Sequence, residues 1–326
     1  MHTFVFSMTK KNSLEIIREI SQKISKLEIR GATKITIEAL KALREFVKYA
    51  PKENFHELFK DAINMLLKSR PTEPAMQNGI KYVLYTYNNL AKKNASIDEI
   101  KEAIETMSMK YLSMIKYAIE KIVEIGWKRI PDDGTIMTHC HSSTVVRILI
   151  EAKQRGKSFV VISSETRPMY QGRITSRELA KSGIRVYHIV DSAMRWAARH
   201  FKPDLALVGA DAITSTGVII NKVGSRLLAL TAKEFDIPLY VAATLLKLDP
   251  RTAFGEYTPI EMRDPSEVWP DAPENVIVLN PAFETVSPEY IDGIITEFGI
   301  IPPSEVLRAF KELYKEIWQI SKEYRI

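Results

Sequence analysis

Residues 134–164 read GTIMTHCHSSTVVRILIEAKQRGKSFVVISS. A short, β-branched apolar run, TIMTHC, gives way at Ser142 and Ser143 to a segment with helical spacing. That segment closes at Gly156, where a helix C-cap belongs, and a second apolar run, SFVVISS, follows. The alternation continues to the end of the chain. RVYHIV, LALVGAD, PLYVAAT and VIVLN are further strand candidates, and TSRELAKSG is a helix ending at Gly183. Short runs that are apolar throughout suit a sheet covered on both faces, and their alternation with helices predicts a doubly wound, mostly parallel sheet.

Upstream of this region the period changes from two to between three and four. SLEIIREISQKISKLEI places Leu14, Ile17, Ile20, Ile24 and Leu27 on one helical face. ATKITIEALKALREFVKYA ends at Pro51, and FHELFKDAINMLLKS stops before Pro71. PAMQNGIKYVLYTYNNLAKK is a fourth helix. A long fifth begins at Ser96 and Glu99, which form the pattern of a capping box. The expected fold is α/β, an N-terminal helical domain over residues 1–127 followed by a Rossmann-like α/β domain over residues 128–326. No internal repeat or low-complexity segment interrupts it.

Composition narrows the function classes. Of 326 residues, 45% are hydrophobic and 26% charged, as in ordinary globular proteins. The net charge of +6 is mild for this length and spread along the chain, so nucleic acid is not an expected partner. No apolar run is long enough to span a bilayer, and the start, MHTFVFSMTKKNS, lacks the basic and apolar regions of a signal peptide. With one cysteine, which excludes an intrachain disulfide, these features lead to the expectation of a cytoplasmic protein with no membrane association.

In a parallel sheet, ligands bind beyond the carboxyl ends of the strands. Cys140, then Ser142 and Ser143, follow the first strand, and Glu165-Thr166-Arg167-Pro168 follow the second. Asp211 ends LALVGAD, and Lys247 comes shortly after PLYVAAT. Cys140 is either an inert packed thiol or a reacting group whose pKa the following helix start lowers. His139, Cys140 and His141 are poorly spaced for one metal ion, because adjacent strand residues point to opposite faces. His139 reads as a packed histidine. Asp211 is either a turn cap or a buried general acid of raised pKa. Asn221 and Lys222 are either a solvated turn or contacts to a sugar hydroxyl and a phosphate. In the helical half, Arg30-Gly31 precede a helix start suited to an anion, and Arg70 ends a helix before Pro71, a place where arginine is ordinarily solvated.

Several of these segments, in order, carry a family resemblance. RGAT, SRPT, MTHCHSSTV, ETRPMYQGR, VGADAI…GVIINKVGS and NPAFETVSPEYIDGIITEFG resemble the superfamily that joins sugar-phosphate isomerases with the regulatory subunits of translation initiation factor 2B. The regulatory subunits lack the cysteine and carry Glu in place of Asp211, so the presence of both residues implies an enzyme. The methylthioribose-1-phosphate isomerase branch carries a different motif after its cysteine and an extra strand-rich N-terminus. The combination found here resembles the archaeal ribose-1,5-bisphosphate isomerase branch.

This resemblance implies Cys140 and Asp211 as the catalytic pair. It implies Arg30, Gly31, Ala32, Thr33, Arg70, Ser142, Ser143, Asn221, Lys222 and Lys247 as contacts to a phosphorylated pentose substrate. One phosphate is expected at the helix start by Ser142, the other at Lys222, Lys247 or Arg30. No metal and no cofactor are expected. A homo-oligomer built from dimers is expected, a hexamer among the possibilities.

Overall fold

The structure is a computed structural model that describes residues 13–323; the N-terminal stretch read above as no leader lies outside them. The chain forms two compact units. One takes in the chain up to Pro71 with Met76–Ser113, and the other takes in Thr72–Ala75 and the chain from Met114 onward.

The first unit is helical: α1 (Ser13–Ser25), α2 (Ala32–Tyr49), α3 (Phe55–Ser69), α4 (Pro74–Lys92) and α5 (Ile97–Gly126), with the division of the units falling inside α5. Each boundary has its chemical cause. Ala50, extended because a proline follows, ends α2. The capping box at the start of α5 is formed: the Ser96 backbone N–H donates to Glu99 (2.8 Å), and the Glu99 N–H donates back to the Ser96 hydroxyl (3.3 Å). Ile17 and Ile24 of α1 are fully buried. The middle of the unit is aromatic, with Phe55 stacked on Phe59 at 5.8 Å and Phe59 against Tyr87 at 4.4 Å between ring centres.

The second unit carries the sheet. Its elements run β1 (Gly134–Thr138), α6 (Ser143–Gln154), β2 (Phe159–Ser164), α7 (Gln171–Lys181), β3 (Arg185–Ile189), α8 (Met194–Phe201), β4 (Leu205–Val208), β5 (Ala212–Thr214), β6 (Ile219–Lys222), α9 (Ser225–Glu234), β7 (Leu239–Ala242), β8 (Leu248–Asp249), β9 (Phe283–Val286), β10 (Gly293–Thr296), β11 (Gly299–Ile301), α10 (Val306–Leu313) and α11 (Lys315–Glu323). The main sheet has the order β11-β10-β7-β4-β1-β2-β3 and is parallel except for β11. Gly156 and Gly183 adopt the left-handed conformation after α6 and α7, as their positions require. β1 is central: the chain winds out one way through β2 and β3, then returns and winds out the other way through β4, β7 and β10. The crevice between the carboxyl ends of β1 and β4 is therefore the topological switch point.

Two features depart from the sequence expectations. VIVLN, residues 276–280, is not a strand. Ile277 is 87% and Leu279 71% exposed, and the place in the sheet is taken by the shorter β10 and β11. Nothing in the structure explains this exposed apolar run. The second departure is a small four-stranded sheet, β8-β5-β6-β9, in which GVIINKVGS supplies the buried strand β6 rather than a solvated turn.

Candidate active site at the switch point

Cys140 lies just beyond β1 and Asp211 just beyond β4, on the two sides of the switch point. Cys140 is in the left-handed region at φ 67°, a conformation that costs a non-glycine residue about 1–3 kcal/mol and persists only where its surroundings enforce it. After it the chain turns into α6, with Ser142 as N-cap accepting a hydrogen bond from the Val145 N–H (3.4 Å) and Ser143, exposed, as the first helical residue. Ser142 sits so close to β4 that a Cβ added to Gly209 would lie 2.7 Å from its Oγ, so glycine there lets α6 begin against the strand end.

The charges around Cys140 are Asp211, Lys222 and Asp191. Lys222 closes β6, is only 5% exposed, and in turn senses the charges of Cys140 and Asp211. Burial pulls its ammonium below the usual lysine range, while Asp211, Glu267 and the ionised form of Cys140 oppose the shift. Lys222 is thus a buried lysine and not a solvated one. Asn221, beside it and buried, donates to the Ser225 hydroxyl (2.8 Å). Lys247, also buried, donates to the carbonyl of Ala210 (2.5 Å), the residue before Asp211. Cys140, Asp211 and Lys222 therefore act on one another electrostatically from the ends of β1, β4 and β6, with Ser142 against the end of β4 and Lys247 bonded beside Asp211, while Asn221 bonds to Ser225.

The expected lowering of the Cys140 thiol pKa does not occur. Burial, joined by the charge of Asp211, pushes it up to about 12. The His141 backbone N–H and Lys222 pull the other way but are outweighed, because desolvation of a thiolate costs more than one helix-start N–H returns.

The neighbouring histidines diverge. His139 is buried, and its Nε2–H donates to the Val223 carbonyl (2.8 Å) while Nδ1 meets the Ser164 hydroxyl (2.6 Å). Burial lowers its pKa, so it is the neutral packed histidine that its sequence position suggests. His141 turns to Thr175 (3.1 Å). Among the described residues no group of three or more His, Cys, Asp or Glu side chains is placed to hold a metal ion.

The remaining expected contacts lie in the helical unit. Gly31, at φ 86°, is the N-cap of α2, which begins with Ala32 and Thr33, and the Arg30 guanidinium donates to the Leu27 carbonyl (2.8 Å). Arg70 follows α3 and is 5% exposed, so it is not the solvated helix-ending arginine of the ordinary case. The Ser25 hydroxyl donates to the Ser69 carbonyl (3.1 Å), which ties the end of α1 to the end of α3 and puts Arg30 and Arg70 at the same end of this unit.

Asp191, Thr175 and Glu267, which sequence reasoning passed over, take part in the site together with Thr166, which the strand-end rule names. Asp191 accepts from the backbone N–H groups of Thr166 and Arg167 (2.7 Å each), Thr166 and Thr175 bond the backbone of Cys140, and Glu267 faces Lys222. No spacing pattern marks them. Thr166 alone is reached, by the strand-end rule applied to the residues after β2.

The sequence pattern of the initiation factor 2 subunit family matches residues 28–303. A ribose 1,5-bisphosphate isomerase of Pyrococcus furiosus is 41% identical over 317 residues, covering 92% of this chain and 97% of its own. Among solved structures, a translation initiation factor eIF-2B of Pyrococcus horikoshii OT3 superposes with a TM-score of 0.76 at 29% identity, covering 91% of this chain and 99% of its own. A 5-methylthioribose 1-phosphate isomerase from the same organism superposes with a TM-score of 0.74 at 28% identity, covering 93% of this chain and 88% of its own.

Proposed function

The chain belongs to the initiation factor 2 subunit family, and within that family we infer that it is an isomerase converting ribose 1,5-bisphosphate to ribulose 1,5-bisphosphate. The observation that carries the substrate assignment is the 41% identity, across nearly the whole of both chains, to a protein of that activity. The initiation factor and methylthioribose-phosphate relatives share the fold at lower identity.

Cys140 and Asp211 are proposed as the catalytic pair, supported by their places at the switch point and their mutual electrostatic influence. The anomeric oxygen of the substrate carries phosphate, so the ring must open before carbon 2 can lose its hydrogen. The reaction is taken to start with one proton for the pair, carried by the Cys140 thiol, whose pKa burial holds up at about 12. Its passage to Asp211 yields a carboxylic acid and a thiolate, the thiolate being stabilised by Lys222. Asp211 then protonates the ring oxygen, and the thiolate takes the carbon 2 proton to leave an enol. Sulfur returns that proton to carbon 1 while the Asp211 carboxylate takes the proton of the carbon 2 hydroxyl. The product is the ketone, and the starting pair is restored. Each positioned acid or base contributes about 10²–10⁴-fold.

Lys222 and Lys247, both buried, are proposed to bind phosphate with the start of α6 at Ser142 and Ser143, and Asn221 to bind a sugar hydroxyl. Arg30, Gly31, Ala32, Thr33 and Arg70 are proposed as further substrate contacts on the family resemblance. A cytoplasmic homo-oligomer built from dimers completes the proposal. Among the described residues no helix is long and apolar enough to cross a membrane.

Incubation of purified protein with ribose 1,5-bisphosphate, followed by phosphorus NMR, tests the substrate assignment. Ribulose 1,5-bisphosphate is the expected product. Conversion of methylthioribose 1-phosphate instead would move the protein to the other isomerase branch.

A further inference from the structure

We propose that Thr166 and Thr175 are positioning residues that hold Cys140 in its reactive orientation by clamping both polar groups of its backbone. The inference rests on the reading that Cys140 reacts. Thr166 Oγ1 accepts from the Cys140 N–H (3.0 Å), and Thr175 Oγ1 donates to the Cys140 carbonyl (2.9 Å). Both threonines are buried, at 0% and 1% exposure, so water does not replace either hydroxyl.

The clamp answers a specific need. A cysteine at φ 67° relaxes to a commoner backbone conformation unless its neighbours prevent it, and here neither peptide group can turn without losing a buried partner. Each hydroxyl is itself fixed. Thr166, also left-handed at φ 64°, has its N–H held by Asp191 (2.7 Å). Thr175 Oγ1 meets His141 Nδ1 (3.1 Å), so the order His141 Nδ1–H to Thr175 hydroxyl to Cys140 carbonyl is a continuous chain of donors. α7 reaches this position because Gly172 packs against the end of β2, where an added Cβ would stand 1.7 Å from the Ser164 carbonyl oxygen. Two different elements thus deliver one hydroxyl to each side of Cys140. A displacement of a reacting atom by about 1 Å costs on the order of 10²-fold in rate, so a clamp of this kind acts on kcat.

The chain has a single cysteine, so alkylation by iodoacetamide reports on Cys140 alone. Thr166→Val and Thr175→Val remove the hydroxyls at nearly constant volume, and Thr166→Ser and Thr175→Ser retain them. In the valine variants kcat for ribose 1,5-bisphosphate is expected to fall by about 10–100-fold with KM within about threefold. Their alkylation rate is expected to rise, because Cys140, half-buried in the structure, becomes more exposed when released. The serine variants are expected to keep both values near wild type, and rates are normalised to folded protein by circular dichroism. Unchanged kcat and alkylation in folded valine variants would overturn the proposal, as would serine variants as impaired as the valine ones. Should valine variants not fold, the serine pair and Asp191→Asn decide it: wild-type kcat in Asp191→Asn together with impaired serine variants overturns the clamp. Turnover by Cys140→Ser would instead defeat the catalytic reading of Cys140. The alkylation comparison needs no substrate and still decides whether the threonines hold it.

Discussion

If desolvation and Asp211 govern Cys140, its reactivity has a calculable pH dependence. The thiol is pushed from an ordinary 9.0 up to about 12. At pH 8 that lowers the thiolate fraction by about 10³-fold, while the greater intrinsic nucleophilicity of a more basic thiolate, with a Brønsted slope of about 0.4–0.5, returns about 20-fold. The net expectation is alkylation about 50-fold slower than for the same cysteine in guanidinium-unfolded chain. The assay is iodoacetamide labelling followed by intact mass, from pH 7 to 10.5. The logarithm of the rate is expected to climb one unit per pH unit without a plateau. Asp211→Asn removes a charge that raises the thiol, so it should accelerate labelling at each pH. Lys222→Met removes one that lowers it and should slow labelling. A plateau near pH 7–8, with labelling faster than in the unfolded chain, would refute this reasoning and mean that the helix start outweighs burial after all.

Three other outcomes are expected. Gly209→Ala places a methyl 2.7 Å from Ser142 Cβ and Oγ, so it should displace the start of α6, cost about 1–3 kcal/mol of stability by denaturant titration, and raise KM more than it lowers kcat. Lys222→Met should raise KM for the bisphosphate by at least about tenfold through loss of a charge-assisted phosphate contact, measured by initial rates. Glu297, between β10 and β11, is buried and accepts from Thr244 (2.7 Å), Tyr314 (2.6 Å) and the Leu245 N–H, and burial holds its carboxyl above the ordinary 4.5. The folded protein therefore binds that proton more tightly than the unfolded chain. The stabilisation is whole below pH 4.5 and is lost as pH rises through the folded-state value, so Glu297→Gln should flatten this decline in urea titrations across pH 4.5–8.

Much of this was legible in the sequence because the relevant signals are local. The capping box at Ser96, the glycines after α6 and α7, and the apolar runs of β1, β2, β4 and β7 each follow from a few adjacent residues. The rule that ligands lie beyond strand carboxyl ends then placed Cys140 and Asp211 without any contact information. VIVLN failed because β-branched apolar residues report fit to a half-buried surface, not burial itself. In the structure Ile277 and Leu279 face outward. The small second sheet was invisible because its strands span only two to four residues, too few to show a period. The thiol shift was misjudged in sign because a helix start is visible in sequence while the depth of burial is not. Thr175 and Asp191 went unseen, and Thr166 was named without its role, because a backbone clamp asks only for a hydroxyl or carboxylate in the right place, and many residues offer one.

The most direct test of the central claim is the steady-state turnover of ribose 1,5-bisphosphate by wild type, Cys140→Ser and Asp211→Asn, each confirmed folded by circular dichroism. Formation of ribulose 1,5-bisphosphate by wild type, with kcat lower by about 10²–10⁴-fold in each variant, is the predicted result. Wild-type turnover in either folded variant would contradict the assignment of the pair.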